Sequence, residues 1–426
     1  MLENIVRDKK ALISLAVILI LSFLVRMLSI AHFVRMDNSE VASKLLKEDG
    51  PCYDGYALNI LNNGVFNIRD EHDCRYPPGY PLFLAFIYRI FDYSKKAVVI
   101  IQGIIDIATV FLVYLLAKEI FKSHNLALTS SLLYMINSSY AKWYLTLYPE
   151  TLFTLILCIA FFIFFIGLRK NRIRLLALSG FTFGLSVFTK PAYLFLVIML
   201  APAILIRHGM LKNKIKQAVI IVIMFLIPVF IWQMRNLYRY GYFGLSTGRG
   251  HYLYTCCVAK AVSYSKGISF DEARERVKNP LMGKYENPFE KSKVQDKLVW
   301  EYIVKNPKTY FYVTIIGIRD FFFIQGLKFS WHLLEECLEY LCLFLGAVFI
   351  LRKKNEDDSK LYTLFVISLL IAVALGASAC GMYRYRSPQL ALYLPISVKG
   401  IFEICRLVFY SEPKSAIRKK VHHPEL

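Results

Sequence analysis

Long apolar runs alternating with short basic clusters set the framework of this chain. The runs 11–31, 97–121, 126–141, 151–168, 175–189, 193–206, 218–234, 333–351, 361–379 and 390–405 each read as a membrane-crossing helix. Basic clusters such as Arg169 to Arg174 and Arg207 to Lys216 then fall on one side by the positive-inside rule, and both ends of the ten-span bundle are expected to be cytoplasmic. The first run follows Arg7, Lys9 and Lys10 and is too long for a signal-peptide core. It reads as a retained span although Ser29-Ile30-Ala31 imitates a cleavage site.

Two polar stretches interrupt the pattern on the outer side. The first, 32–96, contains a short apolar segment, Leu82 to Phe91, that reads as a juxtamembrane helix. The second, 235–329, reads as an extracytoplasmic subdomain. Within it Ser269-Phe270-Asp271-Glu272 is a capping box opening a helix through Val277. Val294, Leu298, Val299, Tyr302 and Ile303 share one face of a further helix, which Asn306-Pro307 ends. Tyr310 to Leu327 is apolar enough to span, but Arg319-Asp320 sits inside it and spanning would put Arg352-Lys353-Lys354 outside, so an interfacial or re-entrant placement is expected. The chain thus divides into a transmembrane core (1–234, with the first outer loop 32–96), a loop subdomain (235–329), C-terminal transmembrane helices (330–407) and a basic cytoplasmic tail (408–426).

Composition narrows the class. With 56% hydrophobic and 19% charged residues the chain is too apolar for a soluble domain, and the expected fold class is an all-α polytopic membrane protein. The formal charge of +21 comes largely from basic clusters that border apolar runs, as topology requires, with Arg418-Lys419-Lys420 available to anionic lipid. No nucleic-acid partner is expected. Cys158, Cys342 and Cys405 lie in apolar runs as small core residues. Cys52 and Cys74 share the first outer loop, where they would either close a disulfide contributing about 3 kcal/mol or remain two thiols. Cys256-Cys257 has no CxxC partner, which argues against zinc.

The candidate chemistry gathers in 49–81, where Asp49, Asp54 and further acids alternate with Arg69, Arg75 and the rigid Tyr76-Pro77-Pro78-Gly79-Tyr80-Pro81. The topology brings Glu150, Lys190, Arg235, Arg249, His251 and Arg384 to the same face. Arginine grips phosphate through paired charge-assisted hydrogen bonds, and a carboxylate serves as base or cation ligand. Taken singly, each has an ordinary role: a span-end Arg or Lys anchors at the interface, and Glu150 after Pro149 is a favourable helix N-terminal charge. Only their coincidence on one face points to a site.

These residues also resemble a family. Asp49-x3-Tyr53-x3-Ala57-x6-Gly64, followed by Arg75-x-Pro77-Pro78-Gly79-Tyr80-Pro81-Leu82-Phe83-Leu84, is similar to the first outer loop of the dolichyl-phosphate-mannose-protein mannosyltransferase-like family of GT-C glycosyltransferases, which includes the aminoarabinose lipid A transferases. Tyr148-Pro149-Glu150, Lys190-Pro191, Pro228-x3-Trp232-x2-Arg235-Asn236 and Tyr383-Arg384-Tyr385-x2-Pro388 follow in the family's order. The resemblance implies a GT-C-like bundle that moves a sugar, with inversion, from a polyprenyl-phosphate carrier to a lipid, glycan or protein acceptor on the outer face of a bacterial inner membrane. Asp49 then matches the catalytic aspartate, with Asp54 in reserve and Glu150 as a second acid. Arg75, Lys190, Arg235, Arg384 and Tyr80 would hold the donor phosphate, Arg235 first among them. The carrier's tail would lie in an apolar groove between Leu82 to Phe91 and the first spans. A divalent cation, if one is used, would fall to Asp49 and Glu150, although Gly50-Pro51 stands where the family often has a second acidic or small polar residue. The alternative is a transporter or flippase of a lipid-linked or anionic substrate.

Overall fold

The computed structural model describes residues 9–46, 49–66, 75–137, 142–281, 284–285, 288–323, 331–353, 357–377 and 383–409. Among them there are helices and no strands. The first outer region runs from α1 (Lys9–Arg35) through α2 (Asn38–Leu45), α3 (Gly50–Asn63) and α4 (Gly79–Phe91). The core continues as α5 (Lys95–Phe121), α6 (His124–Ile136), α7 (Glu150–Arg169), α8 (Ile173–Val187), α9 (Leu196–Leu205) and α10 (Leu211–Tyr240). The loop segment holds α11 (Gly248–Tyr252), α12 (Ala259–Lys266), α13 (Phe270–Lys278), α14 (Pro288–Lys305) and α15 (Pro307–Phe322), and the chain closes with α16 (Trp331–Arg352), α17 (Asp357–Ala377) and α18 (Ser387–Phe409).

Among the described residues each of the ten apolar runs contains a helix. Among the described residues, α1, α5, α7, α10 and α17 are long and apolar enough to cross a membrane; α6, α8, α9, α16 and α18 carry the other five runs. The helix ends follow local chemistry. Ser94, Ser123 and Ser269 each accept a hydrogen bond from the backbone N–H three residues on, which starts α5, α6 and α13, the last at the expected capping box. Pro307 separates α14 from α15 as expected.

Packing places α5, α7 and α18 at the centre, with α8 wedged between α7 and α10. An aromatic cluster of Phe161, Phe164, Phe165, Phe183, Tyr362 and Phe365 joins α7, α8 and α17 through edge-to-face contacts. The loop segment has its own small core, in which Tyr254, Val258, Val277, Leu281 and Val299 pack with Leu298, Tyr302 and Ile303 of the expected helical face. α4 buries Tyr80, Leu84, Ala85, Ile87 and Tyr88 and leaves Leu82, Phe86 and Ile90 exposed at helical spacing, an apolar stripe suited to lipid.

Two salt-bridged clusters staple the helices. Arg26 of α1 reaches Asp106 of α5 at 2.9 Å and the Met135 carbonyl of α6 at 3.0 Å. Arg386, at the start of α18, pairs with Glu336 of α16 at 2.7 Å and bonds Tyr340.

Candidate active site

The site begins with the turn into α3. Pro51 fixes the first turn of that helix, and Asp49 stands at its N-cap position without capping it, so the carboxylate is directed elsewhere. Its Oδ1 accepts the Tyr76 hydroxyl at 2.7 Å, and its Oδ2 is ion-paired with Arg384. Glu150 opens α7 directly after Pro149 and is 2% exposed. Its Oε1 lies 2.9 Å from Lys190 Nζ and 4.0 Å from Arg384 Nε, while its Oε2 is buried and makes no hydrogen bond. Lys190 Nζ also sits 4.8 Å from the centre of the Tyr385 ring. Two acids and two cations thus form one charge-balanced group drawn from four distant parts of the chain.

Burial and charge compete here. Burial pushes the Asp49 pKa up, but the Arg384 guanidinium, the Tyr76 hydrogen bond and the field of Arg75 outweigh it, so the carboxyl titrates below its ordinary value. For Lys190, burial lowers the pKa further than Glu150 raises it, so the ammonium is held less firmly than in water. Arg384 stays charged because Glu150 and Asp49 more than offset its burial.

Backbone close approaches set this geometry. Gly79 donates its N–H to the Phe188 carbonyl at 2.8 Å, and a Cβ at Gly79 would lie 2.7 Å from that oxygen. Gly248 meets the carbonyl of Arg75 in the same way, with a Cβ at 2.5 Å. These contacts dock α4 on the end of α8 and the loop segment on the start of the Arg75–Pro78 turn. Gly79→Ala should therefore force a backbone shift costing about 1–3 kcal/mol and displace Tyr76 from Asp49. Thermal unfolding together with transfer activity checks this; unchanged values for both would show that the contact is dispensable.

The cavity in front of the group has a volume of about 690 Å³. Asp49, Arg75, Glu150, Lys190 and Arg384 line it, whereas Asp54, Tyr80 and Arg235 do not. Asp54, five residues beyond Asp49, accepts the hydroxyls of Tyr88 at 2.6 Å and Tyr93 at 2.7 Å and faces Lys95 at 3.4 Å. It ties α3 to α4 and α5. Tyr80 is fully buried and donates to Gln102 at 2.8 Å. Arg235 lies over the rings of Trp232 and Tyr240 at 4.6 and 5.1 Å, while Trp232 and Asn236 donate to the carbonyls of Leu245 and Gly244. The Trp-x2-Arg-Asn motif therefore shapes the loop that walls the cavity. The cavity's apolar side is formed by Leu194, Phe195, Ala372 and Val373, and no residue of Leu82 to Phe91 lines it. Cys74 lies outside the described residues, and with it the Cys52–Cys74 pairing.

Sequence reading gave no role to Tyr76, the hydrogen-bond partner of Asp49, or to Arg274 and Asp296, which line the cavity from the loop segment. Tyr76 sat within the quoted Arg75-to-Pro81 motif, but the other two carried no recognisable signal. Among the described residues no three His, Cys, Asp or Glu side chains gather as a metal site. Asp49 and Glu150 are already neutralised by Arg384 and Lys190, a poor fit to a divalent cation in this arrangement.

The fold and the apolar helices define a multi-pass integral membrane protein. The structure superposes on the apo oligosaccharyltransferase of Archaeoglobus fulgidus with a TM-score of 0.57 at 14% identity, covering 98% of this chain and 53% of that one. It matches the archaeal oligosaccharyltransferase from the same organism, in complex with an inhibitory peptide and a dolichol-phosphate, with a TM-score of 0.54 at 13% identity, covering 99% and 53%. The chain thus spans about half the length of these structures. Residues 75–232 match the family model of the dolichyl-phosphate-mannose-protein mannosyltransferases, a segment that includes Arg75, Tyr80, Glu150 and Lys190. The comparison with curated proteins finds no match.

Proposed function

We propose that the protein is a membrane glycosyltransferase that moves a sugar from a polyprenyl-phosphate carrier to an acceptor on the extracytoplasmic face. The observation that carries this reading is the convergence of Asp49, Glu150, Lys190 and Arg384 on one cavity with an apolar side wall. The family model and the fold support the same class, and one fold neighbour holds a dolichol-phosphate.

The chemistry follows from the arrangement. The acceptor oxygen attacks C1 of the sugar from the face opposite the phosphate, so the C1–O(phosphate) bond breaks as the new bond forms and the configuration inverts. The acceptor proton passes to Asp49. The bonding electron pair leaves with the phosphate oxygen, whose charge Arg384 and Lys190 stabilise. Glu150, with an unused buried oxygen, orients these cations and is placed to accept a hydrogen bond from a substrate hydroxyl. The carrier's tail would leave along Leu194, Phe195, Ala372 and Val373.

Reconstitution in liposomes with radiolabelled polyprenyl-phosphate sugars and an envelope acceptor tests the proposal. Label should pass into the acceptor with the wild type. Movement of labelled lipid across the bilayer with no glycosylated product would replace the transferase by a transporter.

Asp49 must be ionised to act. Its pKa is lowered, so the acid limb of the pH–rate profile should lie below the ordinary aspartate value of about 3.9. Arg384→Gln removes the largest opposing influence and leaves burial in place, which moves that limb to higher pH. A limb that stays put in Arg384→Gln would show that this ion pair does not keep Asp49 ionised.

A further inference from the structure

The loop segment returns to the transmembrane bundle through α15, whose closing residues dock among bundle helices. Phe321 is buried in the main core, the Phe322 ring meets Tyr340 of α16 edge-on at 5.2 Å, and the Phe322 carbonyl accepts a hydrogen bond from Arg386 at the start of α18. Val313, Gly317 and Phe321 recur every four residues and form the buried side of α15. On the opposite side Phe311, Tyr312 and Ile315 are exposed, Phe311 by 67%, with Lys308 before them and Arg319 after them. Asp320 pairs with that arginine at 2.6 Å. The same division runs along α14. Ser292, Gln295 and Val299 are buried, and Ser292 packs against Gly250 of α11 at the cavity wall. Lys293, Lys297, Trp300 and Val304 instead follow one exposed strip, in which Trp300 and Val304 are 63% and 76% exposed. Glu301 lies farther round the helix, 4.0 Å from Lys297. Tyr264 of α12, itself exposed, packs on Tyr312 at 4.6 Å and extends the apolar area.

We propose that the exposed strips of α14 and α15 dock on the membrane leaflet nearest the cavity, with Trp300, Val304, Phe311 and Ile315 seated at the glycerol level and Lys297 and Lys308 on anionic phospholipid headgroups. A lipid surface is the occupant these observations select. α15 ends where α18 begins, so its exposed side starts at the edge of the hydrocarbon layer. Rings settle at the headgroup level, and lysine stems lie over apolar surface while their ammonium groups reach lipid phosphate. Anionic lipid also attracts lysines held close to it. Because α14 carries this strip on one side and the cavity wall on another, the bilayer would set the height of the loop segment over Asp49 and Glu150. The surface is independent of the transferase reading, and its test needs no turnover.

The test uses the full chain in vesicles of phosphatidylcholine and phosphatidylglycerol, with tryptophan fluorescence as the readout. The difference between the wild type and Trp300→Phe isolates Trp300. Phe311→Trp, placed in the Trp300→Phe background, gives a second probe on α15. Phosphatidylcholine brominated near the glycerol end of its acyl chains should quench both probes, and acrylamide in the water should quench them weakly. When the phosphatidylglycerol alone is brominated, quenching should be at least twice that by an equal fraction of brominated phosphatidylcholine. Lys297→Gln/Lys308→Gln should erase that preference and keep the quenching by brominated phosphatidylcholine, at an unchanged melting temperature. Quenching by acrylamide without quenching by lipid would place the strips in water and overturn the docking. Shielding from both would mean that protein, a second copy included, covers them, and would overturn it equally. A wild type that quenches equally with either brominated lipid, or a preference that survives the lysine variant, would overturn the headgroup contact.

Discussion

Asp49→Asn is expected to lower sugar transfer by about 10²–10⁴-fold, the range for loss of a positioned general base. The replacement keeps size and polarity. The amide oxygen can still accept from Arg384, and the amide nitrogen can donate to the Tyr76 hydroxyl, so the turn into α3 keeps its contacts. Its charge is gone, however, and with it the attraction that draws Arg384 away from a donor phosphate. Binding of polyprenyl monophosphate should therefore be unchanged or tighter while turnover collapses. Initial rates of label transfer in liposomes, read beside donor affinity and melting temperature, separate this from misfolding. A variant that retains more than about a tenth of the rate would remove Asp49 as base and turn attention to the unbonded Oε2 of Glu150.

The arrangement of Arg384 also bears on how much of the site was legible beforehand. Apolar runs and basic clusters placed ten helices, because membrane-crossing segments must satisfy their backbone internally and advertise it by length. Capping at Ser269 and the break at Pro307 were readable for the same local reason. The grouping of Asp49, Glu150, Lys190 and Arg384 was expected from their shared face. Their pairing was not, since it depends on how four separate segments meet.

Three of the candidates do not line this cavity. Asp54 lies close to Asp49 in the chain, yet it is taken up by Tyr88, Tyr93 and Lys95. Arg235 is the charged member of the Trp-x2-Arg-Asn motif, but the neighbouring rings of Trp232 and Tyr240 occupy its face. On α4 Tyr80, Leu84 and Tyr88 are buried and Leu82, Phe86 and Ile90 exposed, while the apolar wall of this cavity comes from residues far along the chain. Motif, charge and apolarity name candidates. Which of them face the same space is decided by tertiary packing, which has no local signature.

The largest stability effect is expected far from the cavity, at the Arg26–Asp106 pair. Arg26 is 1% exposed, and its guanidinium is spent on Asp106 and on the Met135 carbonyl, while Tyr134 donates to the other oxygen of Asp106 at 3.2 Å. Asp106→Ala leaves that arginine charged and unpaired among apolar helices, where neither water nor lipid can replace the carboxylate, and should destabilise the fold by about 3–5 kcal/mol. Replacing both partners, as in Arg26→Met with Asp106→Leu, removes the charge with its counter-charge and should recover most of that loss. Thermal unfolding in nanodiscs across this double-mutant cycle decides the matter; an Asp106→Ala cost below about 1 kcal/mol would mean that the pair is not a staple. Activity should follow stability here. Gln102, one turn earlier on α5, accepts from Tyr80 and donates to the Tyr144 and Thr146 carbonyls at 3.0 and 2.8 Å, in the turn that leads to Glu150. Loosening α5 from α1 and α6 would therefore shift the second acid of the cavity, and transfer should fall in Asp106→Ala even at temperatures where the protein remains folded.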